Sequence, residues 1–220
     1  MLLSGLDGVK PRLTDRQRQR LAAAATRLQL APRTIVYRDG DPAGAVFING
    51  GGVVITYKDM PSGKRRVAGF RFYADVFGLA EHGAYVNSAR AVTAVTLYRI
   101  PTETLTTILR QDADLEFQFL CKMVDELRQA QRKSIIVARR DAAGRVAMFV
   151  DMLRLIGHST HPDVIEIPMS RSDMGNYLNL ALESVSRACA QLTRDGILEF
   201  SRRGARIVDR ARFYKLVTSG

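Results

Sequence analysis

Cysteine is scarce in this chain of 220 residues: only Cys121 and Cys189 are present. A disulfide framework is therefore not expected, and two thiolates cannot complete a four-cysteine zinc or iron–sulfur site. No run of about 18 apolar residues occurs, so no membrane span and no membrane partner are predicted. The opening stretch, "MLLSGLDGVKPRLTDRQRQR", lacks the continuous apolar core of a secretory signal, which points to a cytoplasmic protein. Catalytic signatures are missing as well. There is no G-x-S-x-G, Walker loop or zinc-protease motif, and Gly50-Gly51-Gly52 falls between strand-like runs rather than ahead of a helix. An enzyme is not expected, nor a bound cofactor.

What is present is an ordinary globular composition, 46% hydrophobic and 25% charged, with a strong basic excess. The formal net charge of +11 implies a polyanionic partner, although basicity by itself fits nucleic acid and anionic membrane alike.

The chain changes texture along its length. "LTDRQRQRLAAAATRLQL" is rich in helix formers, with a cap at Thr14. From residue 34 to about 100 come short β-branched and aromatic runs. Asp39-Gly40, Asn49-Gly50 and Pro61-Ser62-Gly63 punctuate them as turns between antiparallel strands, which predicts a small barrel or jelly roll. After Pro101 a short helix and then a long one are expected. On the long helix, Leu120, Met123, Leu127 and Ala130 recur in steps of three and four, with Phe117 and Val124 widening the stripe. That spacing predicts a coiled-coil-like seam in a homodimer; a helix packed on its own barrel is the alternative. A boundary follows near 139–143. "AAGRVAMFVDMLRLIGHS" predicts an amphipathic helix closed at Gly157, "DVIEIPM" a short strand, and "SRSDMGNYL" a helix capped by Ser170 or Ser172. Beyond the next helix, "ILEFSRRGARIVD" reads as a hairpin turning at Arg203-Gly204, and "ARFYKLVTS" as a last helix. Helix, helix–turn–helix and hairpin in this order make a winged helix.

The stretch "LNLALESVSRACAQLTRDGILEF" carries the chemistry. At about 100° per residue, Val185, Ala188, Cys189 and Leu192 share one face, able to pack on Met174 and Leu178, while Glu183, Ser186, Arg187 and Arg194 share the other. Glu183 and Arg187 could form a surface i,i+4 pair worth about 0.2–0.5 kcal/mol. On a helix seated in a major groove they would instead read bases, Glu accepting from cytosine N4 and Arg donating to guanine O6 and N7. The short helix and tight turn just upstream favour the second use.

Here "MSRSDMGNYLNLALESVSRACAQLTRDGILEF" resembles the helix–turn–helix of the CRP/FNR superfamily of bacterial transcription regulators. The E-x-x-S-R pattern of Glu183, Ser186 and Arg187 looks like its FNR and FixK branch. The segment from Val36 to Ala80 is similar to the family's β-roll sensor, and residues 112–137 to its dimerisation helix. The resemblance implies an α+β fold: a cyclic-nucleotide-binding-like β-roll with an N-terminal helix over 1–111, a dimerisation helix over 112–138, and a winged helix–turn–helix over 139–220. It further implies a homodimer that reads palindromic duplex DNA and works with RNA polymerase, as an activator in oxygen- or redox-linked control. Glu183 and Arg187 would read the inner C and G of each half-site, and Ser186 a neighbouring base. Leu182 stands where the cyclic-AMP-responsive branch tends to carry arginine; a leucine can pack on a thymine methyl, which favours a TTGAT-N4-ATCAA palindrome over a TGTGA type. Ser170 and Arg171 match family phosphate contacts, and Arg202, Arg203 and Arg206 in the wing are added as further ones. Asn179 replaces the usual turn glycine, which asparagine's tolerance of the left-handed conformation permits. Ala181 replaces the usual Ser or Thr, a loss of about 0.5–2 kcal/mol in helix capping unless Asn179 caps instead.

The sensor half departs further. In cyclic-nucleotide-binding relatives a Glu grips the ribose and an Arg neutralises the phosphate; here Leu79 and Asn87 occupy those positions. Glu81 and Arg90 lie nearby and could substitute in another register, but tight cyclic AMP binding is not expected. Iron–sulfur sensing of the FNR kind needs four cysteines and is excluded. His82 could ligate haem, which leaves a haem- or small-ligand-responsive regulator open, as well as a cyclic-nucleotide-binding module acting on a protein partner. His158 and His161 form no pattern with carboxylates or thiols that predicts a metal site. Cys189 is a redox candidate on the inner face of the reading helix; Cys121 reads as an ordinary helix residue.

Overall fold

The computed structural model describes residues 14–80, 83–156 and 161–218. Thr14 caps helix α1 (Asp15–Ala24) through a capping box: its hydroxyl accepts from the Gln17 amide, and the Gln17 side chain accepts from the Thr14 amide. The helix stops short of the expected stretch through Leu30. Thr26–Leu30 is strand β1, because Leu28 and Leu30 alternate with Arg27 and Gln29 and so present one apolar edge to a neighbouring strand.

Strands β2 (Ile35–Tyr37), β3 (Ala45–Gly51), β4 (Val54–Asp59), β5 (Arg65–Arg71), β6 (Val76–Phe77), β7 (Ser88–Ala91) and β8 (Val95–Pro101) follow. They form two antiparallel sheets, β1-β8-β3-β6 and β2-β7-β4-β5. Between the sheets lie Phe47, Val54, Phe77, Ala89, Ala91 and Leu97, with Tyr37 stacked on Tyr85 at 3.8 Å between ring centroids. One expected turn moves. Asn49 and Gly50 sit in β3, and the chain reverses at Gly51 and Gly52, because buried Asn49 is held by three bonds: its amide donates to the carbonyls of Gly52 and Arg71 (3.0 and 2.9 Å) and accepts from Gly51 N. Gly52, with φ +80°, lies where a Cβ would meet the Ala94 carbonyl at 2.2 Å.

Helix α2 (Thr102–Arg110) and the long α3 (Ala113–Ala138) come next, α3 capped by Asp112. Leu115 and Phe119 of α3 pack with Leu21, Val46 and Ile100 against the outer face of the β1-β8-β3-β6 sheet. The long helix thus packs one face on its own β-roll, the alternative expectation, and leaves Phe117, Leu120, Val124 and Leu127 exposed on another. Met123, at about 100° per residue, turns partly toward the roll, where it is half-buried beside Leu115 and Phe119 and lines a cavity. Exposed Ile135 extends the seam, and Ala130, also exposed, borders a crevice under α3.

The rest is α4 (Ala142–Ile156), β9 (Val164–Glu166), α5 (Arg171–Leu178), α6 (Leu182–Arg194), β10 (Leu198–Phe200), β11 (Gly204–Ile207) and α7 (Arg210–Thr218). The expected closure of α4 at Gly157 lies outside the described residues. The three strands form one small sheet in the order β10-β11-β9. The hairpin turns over 201–203, and Gly204 opens β11. Its glycine answers to close packing, since a Cβ there would meet the Ile165 carbonyl at 2.6 Å.

The largest core crosses the molecule. Val53, Ile55, Tyr57, Val67 and Phe70, on the outer face of the second sheet, are continuous with Phe149, Met174, Tyr177, Leu192, Leu198 and Phe213. That is why β4 is buried on both faces from Val54 to Tyr57 instead of alternating.

Candidate nucleic-acid interface

Ser170 starts α5. Its hydroxyl accepts from Asp173 N at 3.0 Å and donates to the Asp173 carboxylate at 2.8 Å. Asn179 ends the helix in the left-handed region, φ 56° and ψ 41°, as its identity allowed. Beneath the turn, a Cβ on Gly175 would meet the Leu180 carbonyl at 2.7 Å, so glycine lets the two helices close up. Ala181 caps α6 with no side-chain bond. Asn179 does not take over that role, because its side-chain oxygen accepts from Arg66 on β5.

Val185, Ala188, Cys189 and Leu192 are buried beneath α6, and Leu182, Glu183, Ser186 and Arg187 stand exposed together on its outer face. Glu183 and Arg187 do not pair; the Arg187 guanidinium donates to Ser184 Oγ at 3.2 Å. Both charged heads stay in water, free to exchange it for base edges.

The expected phosphate contacts divide. Ser170, Arg171 and Arg202 line one cleft of about 110 Å³ together with Phe200 and Ser201. Arg171 lies over the Phe200 ring, 5.3 Å from its centroid, which holds the guanidinium in place. Arg203 and Arg206 are exposed on the wing outside that cleft, Arg206 opposite Glu199 in the β10–β11 ladder. Nothing in the sequence pattern marked Phe200 as a support; the signal would have been an aromatic residue at a strand end facing the helix start.

Cys189 is 2% exposed. Burial pushes its thiol pKa up, against the opposing pull of nearby Arg171. A protonated, inaccessible thiol weighs against the redox role expected for it. Cys121 is half-buried on α3.

In the β-roll, Asn87 and Leu79 border a cavity of about 180 Å³ with Tyr37, Phe77, Tyr85 and Met123. Arg90 does not substitute for the missing arginine. Strand alternation turns Ala89 and Ala91 inward and Arg90 outward, where it pairs with Asp173. The cation at the cavity is Arg71, missed in the sequence, and it is paired with Glu126 of α3. Burial lowers the Arg71 pKa. Glu81, His82 and His158 lie outside the described residues, so the haem expectation rests on none of these contacts; His161 is described and exposed, its ring accepting from Asp163 N at 3.4 Å. Among the described residues, no three His, Cys, Asp or Glu side chains gather to hold a metal, and no helix is long and apolar enough to cross a membrane.

Comparison with known proteins agrees with this geometry. Residues 27–112 match the cyclic nucleotide-binding domain family, and residues 144–216 the Crp-like helix-turn-helix domain family. The chain is 31% identical to the nitrogen fixation regulation protein FixK of Bradyrhizobium diazoefficiens over 173 residues, which are 76% of this chain and 72% of FixK. It is 29% identical to the transcriptional activator protein anr of Pseudomonas aeruginosa over 178 residues, 79% of this chain and 73% of anr. The solved structure of FixK2 from Bradyrhizobium japonicum superposes with a TM-score of 0.81 at 29% identity, covering 89% of this chain and 98% of that one.

Proposed function

This chain belongs to the CRP/FNR family of DNA-binding transcription regulators, in its FixK-like branch, and from that membership we propose a homodimeric activator that reads a TTGAT-N4-ATCAA palindrome. It is a regulator and not an enzyme. The observation that carries the specificity is the outer face of α6, where Leu182, Glu183, Ser186 and Arg187 stand exposed while the opposite face is buried. Glu183 accepts from the inner cytosine and Arg187 donates to the inner guanine of each half-site, and Leu182 packs on a thymine methyl. Ser170, Arg171 and Arg202 hold the flanking phosphates, with Arg203 and Arg206 extending the wing along the backbone.

The exposed seam of Phe117, Leu120, Val124 and Leu127 supports a dimer built on α3, which sets two α6 helices one helical turn apart on one duplex face. The division that follows is a β-roll over 1–111, a dimer helix over 112–138 and a DNA reader over 139–220. As an activator the dimer recruits RNA polymerase in the cytoplasm, and its own abundance sets the response, within oxygen- or redox-linked control.

Equilibrium binding to labelled duplex across a salt series tests the reading. The palindrome is expected to bind about a thousandfold more tightly than a scrambled duplex at the same ionic strength. Equal binding would overturn it.

Control by a small ligand is a second reading, favoured by the β-roll cavity of about 180 Å³. Cyclic AMP is a poor fit, since Asn87 is neutral and Arg71 is held by Glu126. Calorimetry is expected to detect no micromolar cyclic AMP binding, and a clear micromolar isotherm would refute that.

A further inference from the structure

Helix α5 is held to the β-roll at three points along its length. At its start, Arg90 of β7 donates to the Asp173 carboxylate at 3.0 Å, across 83 positions of sequence. In its last turn, Tyr177 lies against Phe70 of β5 at 5.3 Å between ring centroids, and beside Phe149 of α4 at 5.4 Å. At its end, Arg66 of β5 bonds the Asn179 side chain.

The first of these joins two opposite charges away from water, whereas the Arg66–Asn179 bond is exposed. Arg90 and Asp173 keep only 18% and 12% of their side-chain surface, and Arg90 Nε is buried with no partner among the described residues. A half-satisfied buried cation contributes little to stability; an apolar pair of similar volume would commonly serve as well or better. What it supplies is direction. Apolar contacts such as Tyr177 on Phe70 are non-directional and tolerate sliding, whereas a guanidinium facing one carboxylate does not. The same carboxylate accepts from Ser170, so the pair is tied to the residue that opens the phosphate cleft. Gly175 closes α5 onto the turn into α6, so a shift of α5 moves the reading helix with it.

We propose that Arg90 is a positioning residue for DNA reading: through Asp173 it fixes α5, and hence α6, on the β-roll, and so sets the distance between the two reading helices of the dimer. In this arrangement the outer face of α6 is open, so the clamp holds the reader in a DNA-competent position. The inference rests on the DNA-reading function above and adds a residue outside the reader that governs half-site spacing.

The test uses the full-length Arg90→Ala and Arg90→Lys variants, which leave the Ser170–Asp173 cap intact. Duplexes carry two half-sites separated by three, four or five base pairs, or a single half-site. Wild type should prefer the four-base-pair spacing, and Arg90→Ala should lose about tenfold on that duplex, within the usual range for coupling between sites. Its affinity for the single half-site should stay within about twofold, and Arg90→Lys should recover part of the spacing preference. Hydrogen exchange on the DNA-free protein is the second readout, with α5 amides exchanging faster in Arg90→Ala and β3 and β8 unchanged. Wild-type spacing preference and wild-type exchange in Arg90→Ala would overturn the proposal. So would an equal loss on every duplex, single half-site included, which would make Arg90 a general structural or phosphate-binding residue. If wild type itself showed no palindrome preference, the DNA-reading function would fail on that result, and exchange over α5 would still decide the clamp.

Discussion

Arg187 donates to Ser184 Oγ, three residues back on the same helix, and leaves Glu183 unpaired four residues back. The two charges that looked like a surface ion pair therefore face solvent separately, one anion and one cation side by side on the outer face of α6. Arg187→Ala is expected to weaken the palindrome by about 1–3 kcal/mol per half-site and to relax the preference for G. Glu183→Ala should chiefly lose discrimination at the paired C. Neither should move the melting temperature by more than a degree or so, because exposed substitutions of this kind usually stay within about 0.5 kcal/mol. Unchanged affinity and selectivity in both variants would leave α6 without its reading role.

The exposed stripe and half-buried Met123 make a matched pair of tests. Leu120→Asp or Leu127→Asp places a charge on an exposed apolar stripe and should shift the protein from dimer to folded monomer, read by sedimentation equilibrium. Met123→Asp faces the β-roll instead and should destabilise the fold itself by about 2 kcal/mol or more. Dimers that persist in both Leu variants would remove α3 as the interface.

The two thiols should differ in rate. Iodoacetamide at neutral pH is expected to modify half-buried Cys121 slowly and Cys189 only after unfolding, since burial excludes the reagent and raises the Cys189 pKa. Mass spectrometry of the native protein reads the outcome directly. Rapid labelling at Cys189 would restore it as a redox candidate.

Arg202 should behave unlike Arg187. Arg202→Ala removes one phosphate contact, so binding to all sequences should weaken alike and the salt slope should fall by roughly one. A loss confined to the palindrome would place Arg202 at a base edge instead.

Much of this was legible in the chain. The exposed outer face of α6 follows from helical periodicity, and the left-handed turn from the identity of Asn179. Both depend on neighbours within a few residues. What escaped depends on partners far away. Thr26–Leu30 looks helical until β8 supplies an edge, and Asn49-Gly50 looks like a turn until Asn49 finds the Arg71 carbonyl. Met123 fits the seam by spacing, yet the roll half-covers it. Arg90 lies near enough to Asn87 in sequence to be a candidate phosphate ligand. Its outward direction is set by Ala89 and Ala91 facing inward, and its partner lies 83 residues on.

The interior that runs from Ile55 and Phe70 through Phe149 and Tyr177 to Phe213 belongs to neither half of the molecule. Heat should then release the reader and the second sheet together, because one apolar interior joins them. The same continuity restricts how such regulators exchange parts. A reader excised from its β-roll would bare the flanks of Phe149 and Tyr177 to water, and one grafted elsewhere would need a host sheet offering equivalents of Phe70 and Val67. In a molecule built this way, what limits shuffling is the fit between two surfaces, and the short connection after Ala138 has little say in it.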